Sequence, residues 1–134
     1  MHTEGRHLIL DVWFSRYCEK MFKDSLDDLV FSTFQVVNTA EYFFEPQGFT
    51  RVFLLKESHV AVHTYPEHAY VSVDIYICNP AYDLEAISHS IRSLFPIVSY
   101  KQQILERGLR PSLRLLDETS KGASPPFRIE EFDV

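Results

Sequence analysis

The chain has 134 residues, 46% of them apolar and 24% charged, with a net charge of -6. That length can bury a core in one domain without disulfides or metal, and the acidic balance without a basic block excludes a nucleic-acid or anionic-membrane surface. No apolar run approaches the roughly 20 residues of a bilayer span, the start is polar, and Cys18 and Cys78 form no CxxC pair, so a reducing cytoplasm is the expected compartment.

His7 to Phe14 (HLILDVWF) reads as a strand. Phe22, Leu26, Leu29 and Val30 recur at helical spacing and predict a helix over about 18–32. Gln35 to Phe44 reads as a second strand, and Pro46-Gln47-Gly48 as a turn. Arg51–Leu55, Ser58–Thr64 and Tyr70–Cys78 are short β-branched or apolar runs with strand character. Asp83 is placed to cap a helix whose apolar face is Leu84, Ile87, Ile91, Leu94 and Phe95, and Pro96 stops it. Ile97 to Leu105 reads as the last strand.

The order β-α-β-β-β-β-α-β predicts an α+β two-layer sandwich, an antiparallel sheet with two helices on one face. The other face must stay polar, bind a ligand or pack on a second subunit. Several strands are apolar or aromatic in both side-chain phases, which favours a homodimer. Residues 1–134 read as one domain with an irregular tail over 111–134, in which Phe127, Ile129 and Phe132 could dock back.

The chemistry-bearing stretch is Lys56 to Glu67 (KESHVAVHTYPE). Read alone, Glu57-Ser58-His59 is a polar strand end. His59, His63, Glu67 and His68 raise a metal site, but Val60, Val62 and Thr64 favour a strand over the helix that a four-residue spacing requires. We expect no metal. A Ser-His hydrolase lacks a GxSxG elbow and a placed acid.

Glu57-Ser58-His59, His63-Thr64, Pro66-Glu67 and Cys78 stand at the intervals of ESHxxxHTxPE followed by a strand ending in Cys. With Gly5-Arg6-His7-Leu8 before them and Glu106-Arg107-Gly108 after, the chain resembles the prokaryotic, pyruvoyl-dependent S-adenosylmethionine decarboxylase proenzymes over most of residues 5–108. The resemblance implies self-cleavage between Glu57 and Ser58. The Ser58 hydroxyl attacks the Glu57 carbonyl, the amide becomes an ester, and elimination with hydrolysis leaves a pyruvoyl group in place of Ser58. That covalent cofactor then takes the substrate amine as a Schiff base and accepts the electrons left by carbon dioxide, as pyridoxal phosphate does elsewhere. The product would be the aminopropyl donor for spermidine synthesis.

The same resemblance assigns His63 to processing, Thr50 (where Ser is usual) to hydrogen bonding beside the cleaved bond, and Cys78 to protonating the product. It assigns Glu67 to the ribose hydroxyls, Phe44 to the adenine and sulfonium, and Tyr65 to the pocket wall. A solvent-facing strand His, a buried strand Cys and core aromatics are the competing readings. Ser58 and His63, five apart, would face opposite ways on a straight strand, so a bulge or kink near the Glu57–Ser58 bond is expected. His68-Ala69-Tyr70 and Asn79-Pro80 depart from the family pattern. Ornithine or arginine as substrate, and an unprocessed non-catalytic homologue, stay open as alternatives.

Overall fold

The computed structural model describes residues 3–110 and the strand 127–133. In chain order the elements are β1 (Gly5–Phe14), α1 (Glu19–Thr33), β2 (Val36–Phe43), β3 (Phe49–Leu55) and β4 (His59–Tyr65). A 3-10 turn (Pro66–His68) then leads to β5 (Tyr70–Ile77), α2 (Leu84–Arg92), β6 (Ile97–Arg107) and β7 (Phe127–Asp133). All strand pairs are antiparallel, in the spatial order β2-β3-β4-β5-β1-β6-β7. The α+β sandwich and the order of its elements through β6 match the sequence expectation. Of the tail expected to be irregular, residues 111–126 and 134 lie outside the described residues, and Phe127–Asp133, where docking back was expected, pairs with β6 as an edge strand.

Period-two alternation sorts the sheet into two faces. Leu8, Leu10, Val12 and Phe14 of β1, Val60 and Val62 of β4, and Val71, Val73, Ile75 and Ile77 of β5 are buried together. Phe22, Leu26 and Val30 of α1, with Leu84, Ile87 and Ile91 of α2, close over them. Each such side chain contributes about 1.5–3 kcal/mol by leaving water. Asp83 caps α2 as expected, accepting from the Ala86 N–H at 3.2 Å. The opposite face carries His7, Asp11, Trp13, His59, His63, Tyr70, Ser72, Asp74 and Tyr76, and among the described residues no helix covers it.

Two polar clamps hold the helices down. Arg51 occupies an inward phase of β3 and is buried, which from sequence looks like a misplaced charge. It donates from Nε to Asp27 of α1 at 2.7 Å and from Nη1 to Glu41 of β2 at 2.6 Å, with its guanidinium 4.6 Å from the Phe53 ring centre. On α2, Ser88 hydrogen bonds to Gln102 of β6, whose amide donates to Glu85 at 3.2 Å. Among the described residues no buried side-chain nitrogen or oxygen lacks a partner.

The β2–β3 turn is pinned in the same way. Gly48 adopts φ +101°, where a side chain would be strained, and its N–H donates to Glu19 Oε2 at 2.7 Å. The other oxygen of Glu19 accepts from the Tyr17 hydroxyl at 2.8 Å. Burial, reinforced by that carboxylate, pushes the Tyr17 phenol well above its ordinary range.

Arg51→Met should lower stability by about 2 kcal/mol, because Asp27 and Glu41 lose the charge that neutralises them at a partly buried site. A fall in the urea unfolding midpoint at unchanged slope checks this; an unchanged midpoint would show the clamp to be neutral.

Candidate active site

The β3–β4 hairpin turns through Lys56 and Glu57, and the Leu55 N–H donates to the Ser58 carbonyl at 2.9 Å. Ser58 therefore lies outside β4, at the mouth of the turn. On β5, Tyr76 pairs with His59. Continuing that antiparallel register past the strand ends sets Ile77 opposite Ser58 and Cys78 opposite Glu57. The contacts agree. The Cys78 N–H donates to Ser58 Oγ at 3.1 Å, and the Cys78 thiol donates to the Glu57 carbonyl at 3.2 Å. The Glu57–Ser58 peptide is thus gripped from both sides by one residue. A cavity of about 300 Å³ opens beside it, lined by Phe34, Leu55, Glu57, Ser58, Cys78 and Tyr82.

This arrangement suits a change at the Glu57 carbonyl. A donor on the carbonyl oxygen stabilises negative charge developing there, while the backbone N–H holds the hydroxyl oxygen next to the carbon it would attack. The sequence reading gave Cys78 a role after cleavage only. Its contact with the Glu57 oxygen was not legible, because it depends on which strand lies beside the turn.

The remaining expected residues gather elsewhere. Thr50 and His63 face each other across β3 and β4, with Thr50 Oγ1 3.0 Å from His63 Nδ1. Phe44 closes the β2–β3 turn through its N–H to Gly48 O at 2.8 Å, and its ring meets Tyr42 edge-on at 5.0 Å. Tyr65 stacks on Tyr70 at 5.2 Å, which stacks on Trp13 at 4.9 Å. Glu67 is exposed on the 3-10 turn that follows. The Tyr70 phenol is pushed up to about 12 by burial and its bond to Asp11.

Ser58 and His63 are therefore apart in one copy of the chain. Four residues of strand separate His59 from His63, about 13 Å at 3.3 Å per residue. The irregularity expected near the Glu57–Ser58 bond takes the form of a bend through Lys56 and Glu57, ahead of β4, which itself pairs with β5 in unbroken register from His59 to Tyr65. That solves the facing problem, since Ser58 belongs to the turn and not to the strand.

Between the two groups the open face carries a cluster that sequence reading missed. His7 Nε2 and His59 Nε2 both reach Asp74, the second at 3.3 Å. Arg107 donates to His7 Nδ1 at 3.2 Å, which leaves His7 Nε2 to carry the proton that Asp74 accepts. The Tyr76 ring lies parallel to His59 at 6.0 Å. The signal was present as polar residues in the outward phase of their strands, but His7 and Asp74 meet only because β1 lies beside β5. Among the described residues no group of three or more His, Cys, Asp or Glu is arranged to hold a metal ion.

The S-adenosylmethionine decarboxylase family model matches residues 6–108. Among curated relatives, S-adenosylmethionine decarboxylase proenzyme 2 of Halalkalibacterium halodurans is 32% identical over 122 residues, covering 83% of this chain and 91% of the relative. The proenzyme of Geobacillus kaustophilus is 33% identical over 119 residues, covering 83% and 93%. The crystal structure of the adenosylmethionine decarboxylase from Aquifex aeolicus superposes with a TM-score of 0.68 at 25% identity, covering 84% of this chain and 97% of that one. A match that takes in the β3–β4 turn, Cys78 and every strand of the sheet through β6 means that the chain belongs to the S-adenosylmethionine decarboxylase family.

Proposed function

We propose that the chain is a self-processing decarboxylase of S-adenosylmethionine that cleaves at Glu57–Ser58, derives a pyruvoyl group from Ser58, and acts as a homodimer. The observation that carries this reading is the hold of Cys78 on both atoms that must react, Ser58 Oγ and the Glu57 carbonyl. The names of the matched relatives support S-adenosylmethionine over ornithine or arginine.

In processing, the Ser58 oxygen attacks the Glu57 carbonyl carbon, and the acyl group passes from the Ser58 nitrogen to its oxygen. The thiol steadies the carbonyl oxygen while this happens. Elimination then releases Glu57 as a carboxylate. The pyruvoyl group fits the place where it would form, with a donor on either side and an adjoining cavity. Once formed, it supplies an electron sink for the pair left by carbon dioxide. Cys78, already at that position, is the group that delivers a proton to the substrate carbon.

Homodimerisation follows from the separation of the two half-sites. A two-fold axis running between stacked open faces and across β4 sets the Ser58 end of one copy over the His63 end of the other. Each complete site then takes Ser58 and Cys78 from one copy. The second copy adds Thr50 and His63 for processing, Phe44 for the adenine and sulfonium, Glu67 for the ribose, and Tyr65 for the wall. Among the described residues no helix is long and apolar enough to cross a membrane. With Cys18 and Cys78 both free, a reducing cytoplasm suits the protein.

Three outcomes test this. Ser58→Ala should remain full length by intact mass and be inactive, while the parent splits at Glu57/Ser58 with the larger fragment lacking the mass of ammonia relative to a serine terminus; a parent that stays whole would refute the reading. Cys78→Ala keeps its backbone N–H on Ser58, so it should still process, roughly 3–10-fold more slowly for want of the thiol donor. Its decarboxylation, followed by carbon dioxide release, should fall by about 100-fold or more. Co-expressing Ser58→Ala with His63→Ala should rebuild one site per mixed dimer and recover about a quarter of the parent activity; no recovery above either single variant would place each site within one chain.

A further inference from the structure

We infer that Tyr76 is the positioning residue for Cys78, its hydroxyl, which lies against Gly5 across from Cys78, turning to hold the sulfur once the chain has been cleaved. The inference rests on the reading of Cys78 as proton donor.

Tyr76 is the last residue but one of β5 and Cys78 follows the strand's end, where the β1–β5 register that pairs Arg6 with Ile77 continues to set Gly5 opposite Cys78. The Tyr76 ring has little freedom. His59 lies parallel to it at 6.0 Å, His7 meets it edge-on at 5.9 Å, and the Arg107 guanidinium carbon sits 5.5 Å from its centre. Its hydroxyl points toward the start of β1. A Cβ added to Gly5 would lie 2.7 Å from the phenol oxygen, so the absence of a side chain there makes room for it. Gly5 and Cys78 also line one cleft of about 270 Å³, on the flank of Cys78 away from the hairpin cavity. Burial raises the Tyr76 phenol above its ordinary value, the neighbouring Cys78 raises it further, and Arg107 opposes them. A phenol also titrates above a thiol to begin with. Tyr76 therefore keeps its proton and acts as a donor.

The need for a second holder arises from the cleavage itself. In the precursor the thiol donates to the Glu57 carbonyl. Processing turns Glu57 into a free chain end, and that anchor is no longer joined to the fragment carrying Ser58 and Cys78. Tyr76 stays on the same fragment as Cys78. When Cys78 acts, its S–H bond breaks, the electron pair remains on sulfur, and the proton goes to the carbon that has lost carbon dioxide. The Tyr76 O–H stays intact and directs its hydrogen bond to the thiolate, which regains a proton from solvent.

The test is alkylation of the processed protein by iodoacetamide at neutral pH, read peptide by peptide by mass spectrometry, with exposed Cys18 as internal reference. Tyr76→Phe keeps the ring and removes the hydroxyl. It should slow alkylation of Cys78 by roughly 3–10-fold, net of the lower nucleophilicity of a stabilised thiolate, and leave Cys18 unchanged. The maximal decarboxylation rate should fall by a similar factor at constant KM. Gly5→Ala, which displaces the phenol oxygen without deleting it, should reproduce the effect and serves where Tyr76→Phe fails to process. Equal Cys78 rates with and without the hydroxyl would overturn the role of Tyr76. Full decarboxylation by Cys78→Ala would instead overturn the donor reading beneath it, whatever the alkylation rates.

Discussion

Pairing of His59 with Tyr76 fixes the chemistry at the hairpin tip. From that pair outward the antiparallel register leaves no choice: Cys78 arrives opposite Glu57, with its N–H on the Ser58 oxygen and its thiol on the Glu57 oxygen. A slip of one residue would turn Val60 and Val62 out of the core and present Ile77 to the turn instead. The buried valines of β4 and β5 therefore hold the reacting atoms in place, although none of them touches those atoms. Packing energy on the covered face of the sheet is converted into position at its edge.

The open face obeys a different constraint. A sheet covered by helices on one side can leave the other polar, yet here it carries Trp13, Tyr65, Tyr70 and Tyr76 among its charged groups. Rings in ordered stacks at 4.9 and 5.2 Å form a firm platform at the His63 end, and the His7–Asp74–His59 cluster braces the Ser58 end. On the proposed reading the two ends differ in chemistry, one electrophilic after cleavage and the other equipped to bind and to move protons, and two-fold pairing would unite these unlike ends of a single surface without any further sequence.

The elements were legible because their periodicity is local. Leu8, Leu10 and Val12 alternate within one strand, and Leu84, Ile87 and Ile91 recur within one helix, so each run reports its own face. The motif around Ser58 was legible for the same reason, being one unbroken stretch of chain. Strand adjacency was not legible. β1 inserts between β5 and β6, and nothing in residues 5–14 names those neighbours. The His7–Asp74 contact and the Gly5–Tyr76 approach both depend on that insertion. Arg51 shows a subtler limit: a charge in an apolar phase reads as an error until Asp27 and Glu41 are seen on either side of it. The bulge or kink expected near Glu57–Ser58 is the turn itself, because pairing of β4 with β5 begins one residue later, at His59.

Cys78 then stands in two successive environments without moving along the chain. In the intact chain its proton is directed at the Glu57 oxygen, so the thiol is occupied by the peptide that the proposed processing would break. On the proposed reading, breaking that bond creates the electron sink and frees the thiol in the same event. An unprocessed chain would lack the sink and would also have its proton donor turned toward its own backbone. Activation by cleavage is then a consequence of hydrogen-bond exchange at one sulfur. Gly5 belongs to this logic, because the room it leaves for the Tyr76 oxygen gives the released thiol a partner within its own fragment.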